Sequence, residues 1–203
     1  MRVLPSGTAA LLIELDSIEE VLALYAALAA EPPPGVVDIV PAGRTVLVAA
    51  AAGTHLATVA EAVRRVTPQA GRRRTGDVVE LPVRYDGADL ADVAEVLGCD
   101  VDEVVRRHCQ EEWTVAFCGF APGFGYLTGS RRTWDVPRRA SPRTRVPPGS
   151  VALAGEFTGV YPRESPGGWQ LLGRTDVAVF DLDRDPPALL RPGVRVRFVD
   201  VTP

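Results

Sequence analysis

Residues 119–168 hold nine of the 19 glycines and seven of the 18 prolines in a chain of 203 residues. Such density has two outcomes, a segment that never folds or a set of tight turns. The aromatic side chains decide between them. Phe117, Phe120, Phe124, Tyr126, Trp134, Phe157, Tyr161 and Trp169 are threaded through and around the stretch. Large rings among glycine and proline predict turns folded over a hydrophobic base. Glycine supplies positive φ or lets a ligand approach the backbone, and proline limits motion. Rigid loops of this kind on a β scaffold are where binding residues tend to sit.

The flanking sequence supplies that scaffold. Residues 113–118 open a β region that runs to the end of the chain, where residues 193–199 alternate and put Val194, Val196 and Phe198 on one buried face. Before it, residues 78–85 alternate as a strand, and two short helices follow. Asp89 reads as the N-cap of the first and Gly98 as its terminator, while Asp100 and Glu103 form a capping box for the second. The first 75 residues are patterned differently. A strand over 9–15 leads into a capping box, Ser17 with Glu20, and a helix with Ile18, Val21, Leu22, Tyr25 and Leu28 at helical spacing. Pro32-Pro33-Pro34 ends that helix. Strands over 36–40 and 45–49 form a hairpin through residues 41–44, and a second helix covers 54–66. The order β-α-β-β-α predicts a ferredoxin-like sandwich if the next strand closes it. Residues 69–77, polar and arginine-rich, are the expected linker. The expected class is α+β, with a small N-terminal α/β domain at 1–77 and a β domain at 78–203.

Charge and composition narrow the function. The net charge of -4 argues against general nucleic-acid binding. All 22 positions counted as lysine or arginine are arginine. No P-loop lysine, Schiff-base lysine or biotin-carrying lysine is therefore present, and any use of ATP takes another route. Apolar runs such as residues 46–52 stop far short of the ~20 residues that a membrane span needs. The start, Met1-Arg2-Val3-Leu4-Pro5, lacks the pattern of a signal peptide, so a cytoplasmic location is expected. Cys99, Cys109 and Cys118 are odd in number and lack C-x-x-C spacing, which predicts reduced thiols and not a disulfide framework. His108, Cys109 and Cys118 lack the spacing of a structural zinc site, so no metal is expected.

Three segments carry the most information. The first is Phe117-Cys118-Gly119-Phe120-Ala121-Pro122-Gly123-Phe124-Gly125-Tyr126-Leu127. The second is a stiff basic stretch over 137–151 that includes Pro142-Arg143-Thr144-Arg145-Val146-Pro147-Pro148-Gly149. The third, over 159–175, includes Gly159-Val160-Tyr161-Pro162-Arg163 and Ser165-Pro166-Gly167-Gly168-Trp169. In this order and spacing they resemble the family that contains subunit 1 of allophanate hydrolase, the B component of bacterial 5-oxoprolinase and the kinase inhibitor KipI (carboxyltransferase subdomain C and D). The resemblance is carried by residues 78–200, including Val105-Arg106-Arg107-His108, and is compatible with the N-terminal unit. It implies a cyclophilin-like β-barrel for the C-terminal domain. It also implies a subunit of a multi-component, ATP-dependent amide hydrolase, most simply 5-oxoprolinase, which turns 5-oxoproline into glutamate. The implied companion is of the type of allophanate hydrolase subunit 2 or the C component of 5-oxoprolinase, with a separate ATP-using subunit. ATP would activate the amide carbonyl by phosphorylation. A KipI-type inhibitor of a sensor histidine kinase and allophanate hydrolase subunit 1 stand as alternatives. A proline is common in the family where this chain has Gly125, a change expected to loosen that turn, and residues 154–158 also depart from the usual pattern.

Six residues are candidates for the site. His108 shares an apolar helix face with Val101, Val104 and Val105, and reads either as a core histidine or as a general acid or base. Tyr161 could donate to a developing oxyanion or simply pack. Arg131, Arg132, Arg138, Arg139, Arg143 and Arg145 form a basic cluster opposed only by Asp135. Arg143 and Arg145, in its stiffest part, are the expected grip on a substrate carboxylate or phosphate, and the rest is a solvated surface. Gly123 and Phe124 are the expected substrate-contacting part of the first turn, Gly123 through its amide and Phe124 as a wall.

Overall fold

A computed structural model describes residues 1–67, 78–131 and 134–203. The expected linker, residues 69–77, and Arg132 of the basic cluster lie outside the described residues. The chain forms two compact units, Met1–Arg74 and Thr75–Pro203.

The first unit contains β1 (Arg2–Ser6), β2 (Ala10–Glu14), α1 (Ile18–Ala30), β3 (Val36–Pro41), β4 (Thr45–Ala50) and α2 (Leu56–Arg65). Its strands lie in the order β1-β2-β4-β3, all antiparallel. Alternation buries Leu11 and Ile13 of β2 and Val46, Val48 and Ala50 of β4. The helices bury Ile18, Val21, Leu24 and Leu28 of α1 and Val59, Ala60 and Val63 of α2. The Ser17 hydroxyl accepts the Glu20 amide at 3.3 Å, and the Glu20 carboxylate accepts the Asp16 amide at 3.2 Å, so the cap is reciprocal. The strand that closes this sandwich is not the one after α2. Arg2–Ser6 takes the closing position beside β2, at the edge, where Pro5 can sit because an edge strand has a face with no ladder bond to donate.

The second unit contains β5 (Val78–Val83), α3 (Leu90–Leu97), α4 (Val101–Gln110), β6 (Trp113–Cys118), β7 (Gly125–Gly129), β8 (Arg143–Val146), β9 (Ser150–Ala154), β10 (Phe157–Val160), β11 (Ser165–Gly167), β12 (Gln170–Arg174) and β13 (Arg195–Asp200). Seven strands form one sheet in the order β12-β9-β10-β7-β6-β13-β5, with β5 and β13 parallel and the other pairs antiparallel. The sheet curls until its ends meet. Arg84 and Arg174 exchange two backbone hydrogen bonds of 2.9 Å, and the Gly87 and Asp89 amides reach the Leu172 and Leu171 carbonyls at 3.1 Å. Glycines permit that approach: a Cβ on Gly87 would lie 2.2 Å from the Leu171 carbonyl oxygen, and one on Gly173 2.3 Å from that of Arg84. The result is the nearly closed barrel expected of this domain.

Strand alternation gives the sheet two buried faces. Leu81, Trp113, Leu127, Leu153, Leu172 and Phe198 fill the interior, while Phe124, Ala152, Ala154, Tyr161, Trp169 and Leu171 form a second cluster. Burial on both faces is why β9 reads as a continuous apolar run. A separate two-stranded ribbon pairs β8 with β11, and its Val146 packs into the second cluster. Gly125 does not loosen a turn. It starts β7, buried, with a Cβ position 3.0 Å from the Leu190 Cβ.

Candidate functional site

Asp100 starts α4 by accepting the Glu103 amide at 2.7 Å, and one turn apart the helix buries Val104 and His108. His108 Nδ1 lies 2.7 Å from the Tyr85 hydroxyl and Nε2 lies 2.9 Å from the Thr158 hydroxyl. Thr158 has one proton and gives it to the Ala152 carbonyl at 3.0 Å. It therefore accepts from Nε2–H, which leaves Nδ1 to accept from Tyr85. The Cys109 thiol in turn donates to the Tyr85 oxygen at 3.4 Å. The imidazole stands against Phe198 and Trp113, with ring centroids at 4.4 and 5.1 Å. Burial pushes its pKa down to about 3 and raises the Tyr85 hydroxyl well above its ordinary value. A neutral ring with both nitrogens occupied and no solvent contact has the geometry of a core histidine, and a general acid or base here would have no route to a substrate.

The basic stretch is also spent differently from expectation. Asp89 stands at the start of α3 but makes no side-chain cap bond. Its buried carboxylate accepts both terminal nitrogens of Arg143 at 2.8 Å, one of Arg139 at 2.5 Å and the Leu171 amide at 2.7 Å. Burial alone would raise the Asp89 pKa. The hydrogen bonds from Arg143 and Leu171 and the two guanidinium charges outweigh it and hold the carboxyl below its usual range. The bidentate grip expected of Arg143 exists, but it holds the protein's own aspartate and pins the start of β8 to the closing seam. Arg145 is exposed and pairs with Glu164 at 2.6 Å.

Tyr161 lies in the second cluster. Its hydroxyl sits under Gly167, where a Cβ would be 2.3 Å away. Phe124 is buried at the centre of this layer, edge-on to Phe120, Tyr126, Tyr161 and Trp169 at centroid distances of 5.3, 5.1, 5.3 and 5.4 Å. It is a floor and offers no free face. Gly123 has φ +81, and a Cβ there would meet Phe180 at 2.4 Å, so its missing side chain serves internal packing and leaves no room for a ligand. His108 and Tyr161 are not brought together. The first touches Tyr85, Trp113, Trp134 and Phe198, the second Phe120 and Phe124.

Other groups remain open to solvent beside Tyr161. Phe120 has φ +67, the one positive φ outside glycine among the described residues, and is 57% exposed. Arg138 is exposed and makes no ion pair among the described residues. The next residue, Arg139, fixes the backbone by donating its amide to the Gly168 carbonyl at 2.8 Å. Burial raises the hydroxyls of Tyr126 and Tyr161, and the charge of Arg138 opposes that rise in both. Nothing in the spacing separates Arg138 from its neighbours or singles out Phe120 as strained, and Asp89 matches a helix cap in every local respect. Among the described residues no cluster of histidine, cysteine and carboxylate side chains could hold a metal, and no helix is long and apolar enough to cross a membrane.

Comparison with known proteins places these features. Over 124 residues, 60% of the chain, the sequence is 52% identical to the B component of 5-oxoprolinase from Escherichia coli O157:H7, and the match covers 57% of that protein. The chain thus spans little more than half the length of this relative. The crystal structure of a conserved uncharacterized protein from Pyrococcus horikoshii matches with a TM-score of 0.59 and 36% identity, over 99% of this chain and 98% of that one. Urea amidolyase of K. lactis shares the fold, with a TM-score of 0.74 and 20% identity, over the whole of this chain and 16% of its own. The carboxyltransferase domain, subdomain C and D, matches residues 1–190, and the chain belongs to that family.

Proposed function

We propose that the chain works as a non-autonomous subunit of a cytoplasmic, ATP-dependent amide hydrolase, and that the amide opened is the ring of 5-oxoproline, giving glutamate. The observation that carries this reading is the 52% identity to the B component of a 5-oxoprolinase. The buried state of His108 and the internal use of Arg143 support a non-autonomous role. They leave this chain without a self-sufficient set of acid, base and nucleophile. Turnover then depends on a companion chain of the type of the 5-oxoprolinase C component or allophanate hydrolase subunit 2. It also depends on an ATP-using subunit, since this chain has no P-loop lysine. Within the site, Tyr161, Phe120 and Arg138 are the groups offered to an anionic substrate, Arg143 sets the ribbon in place, and His108 holds the barrel interior.

The test is reconstitution. Chain and companions, purified separately, are mixed with ATP and 5-oxoproline, and glutamate and ADP are measured. Glutamate from the mixture alone, in step with ADP, supports the reading. Glutamate from this chain by itself shows that it is autonomous and removes the need for companions. A mixture that hydrolyses allophanate but leaves 5-oxoproline untouched moves the substrate, and capture of a sensor histidine kinase with no hydrolase activity favours a KipI-type inhibitor.

A further inference from the structure

We propose that Phe120, Tyr126, Tyr161 and Arg138 form a seat for one small, flat monocarboxylate, which on the functional reading above is 5-oxoproline itself. Phe124 is the fixed point of this seat. Phe120, Tyr126 and Tyr161 all stand edge-on to it within 5.3 Å, at interplanar angles of 65 to 77°. A ring so surrounded cannot tilt without displacing three others, so the layer is preorganised. Phe120 is held in it at φ +67, a region that L-residues rarely adopt. It is nonetheless the large aromatic side chain left most exposed, at 57%. Strain kept at an exposed aromatic is a feature of ligand clamps.

The polar side of the seat follows from where the arginines are spent. Arg139 and Arg143 are both paired with Asp89, and Arg145 with Glu164. Arg138 makes no ion pair among the described residues, and the Arg139 amide bonded to the Gly168 carbonyl at 2.8 Å brings its backbone beside Gly167, which covers the Tyr161 hydroxyl. Neither Tyr126 nor Tyr161 gives its proton to a protein acceptor among the described residues. One guanidinium and the phenolic donor of half-buried Tyr126 match one carboxylate, with a single negative charge and two oxygens. The neighbouring rings of Phe120 and Tyr161, with centroids 6.1 Å apart, suit the flat body of a lactam.

The experiment uses the full chain and the reconstituted enzyme. Aromatic-region NMR of the chain is followed on titration with 5-oxoproline, and with 2-pyrrolidinone as the same ring lacking the carboxylate. Resonances of Phe120 and Tyr126 should shift with the first and not with the second. Arg138→Gln, at an exposed position with no ion pair among the described residues, should leave the fold intact by circular dichroism and weaken binding about tenfold to a hundredfold. Phe120→Ala should weaken it as well. In the reconstituted enzyme, Arg138→Gln should raise KM for 5-oxoproline with kcat nearly unchanged. Binding of other flat monocarboxylates without 5-oxoproline would keep the seat and remove the assigned substrate. Unchanged binding in both variants would overturn the proposal. So would loss of assembly with the companion in Arg138→Gln with ligand binding intact, which makes the surface a docking site for that chain.

Discussion

Removing the Asp89 carboxylate would leave two arginines facing one another across a buried seam. Asp89→Ala is therefore expected to destabilise the protein by about 3 kcal/mol or more, measured by urea unfolding. Asp89→Asn should cost less, because an amide oxygen can still accept from Leu171 and one guanidinium. The folded pKa of Asp89 is lowered, so its contribution is complete above the ordinary carboxylate range and is lost as pH falls through the folded value. His108 acts in the same direction at higher pH. Its folded pKa is about 3, well below the unfolded ~6.5. Unfolded chains bind a proton below pH ~6.5 that the folded core refuses, so stability drops as pH falls from there toward 3, with a limiting slope of about 1.4 kcal/mol per unit. In His108→Gln this slope should be missing from the variant's own pH dependence, so the parent's advantage shrinks as pH falls from ~6.5 toward 3 even though the variant is less stable at neutral pH. A slope that persists unchanged would mean the histidine is charged or hydrated in the fold. The buried neutral state is one of two readings open to the helix pattern, because periodicity says which face a residue takes and nothing about its partners. Asp89 is less legible still, since its partners lie 50 and 54 residues further along the chain.

Short-range chemistry makes most of the elements readable. The caps at Ser17 and Asp100, the left-handed Gly98 that stops α3 and the alternation of β13 are all local signals, and the structure contains each of them. Signals that depend on a partner strand fail. β1 is invisible because Pro5 breaks the pattern of a central strand, which Arg2–Ser6 is not. β5 is legible as a strand, yet its partner is β13, parallel and more than a hundred residues away. The closing seam has a test at this scale. Gly87→Ala and Gly173→Ala each place a Cβ against fixed carbonyl oxygens, and each should cost about 1–3 kcal/mol in unfolding measurements. Gly53→Ala meets nothing within 4 Å, but its φ is +84. It should lose only the smaller conformational cost, which separates steric closure from backbone strain.

For the molecule as a whole, catalysis must be assembled from several chains if the proposed function holds. Arg138→Gln is the variant expected to impair the reconstituted hydrolase while leaving the stability of this chain within about 0.5 kcal/mol of the parent. Asp89→Ala is expected to lower both, because it releases the ribbon. The meeting of Arg84 with Arg174 has a consequence for how a companion can bind. An open sheet offers a row of unpaired amides and carbonyls to any passing strand. Here the two ends of the seven-stranded sheet are bonded to each other, so this sheet has little main-chain template to lend to a newcomer. A companion must recognise it through side chains, and its specificity is then written in residues that can be exchanged one at a time without unravelling the scaffold beneath.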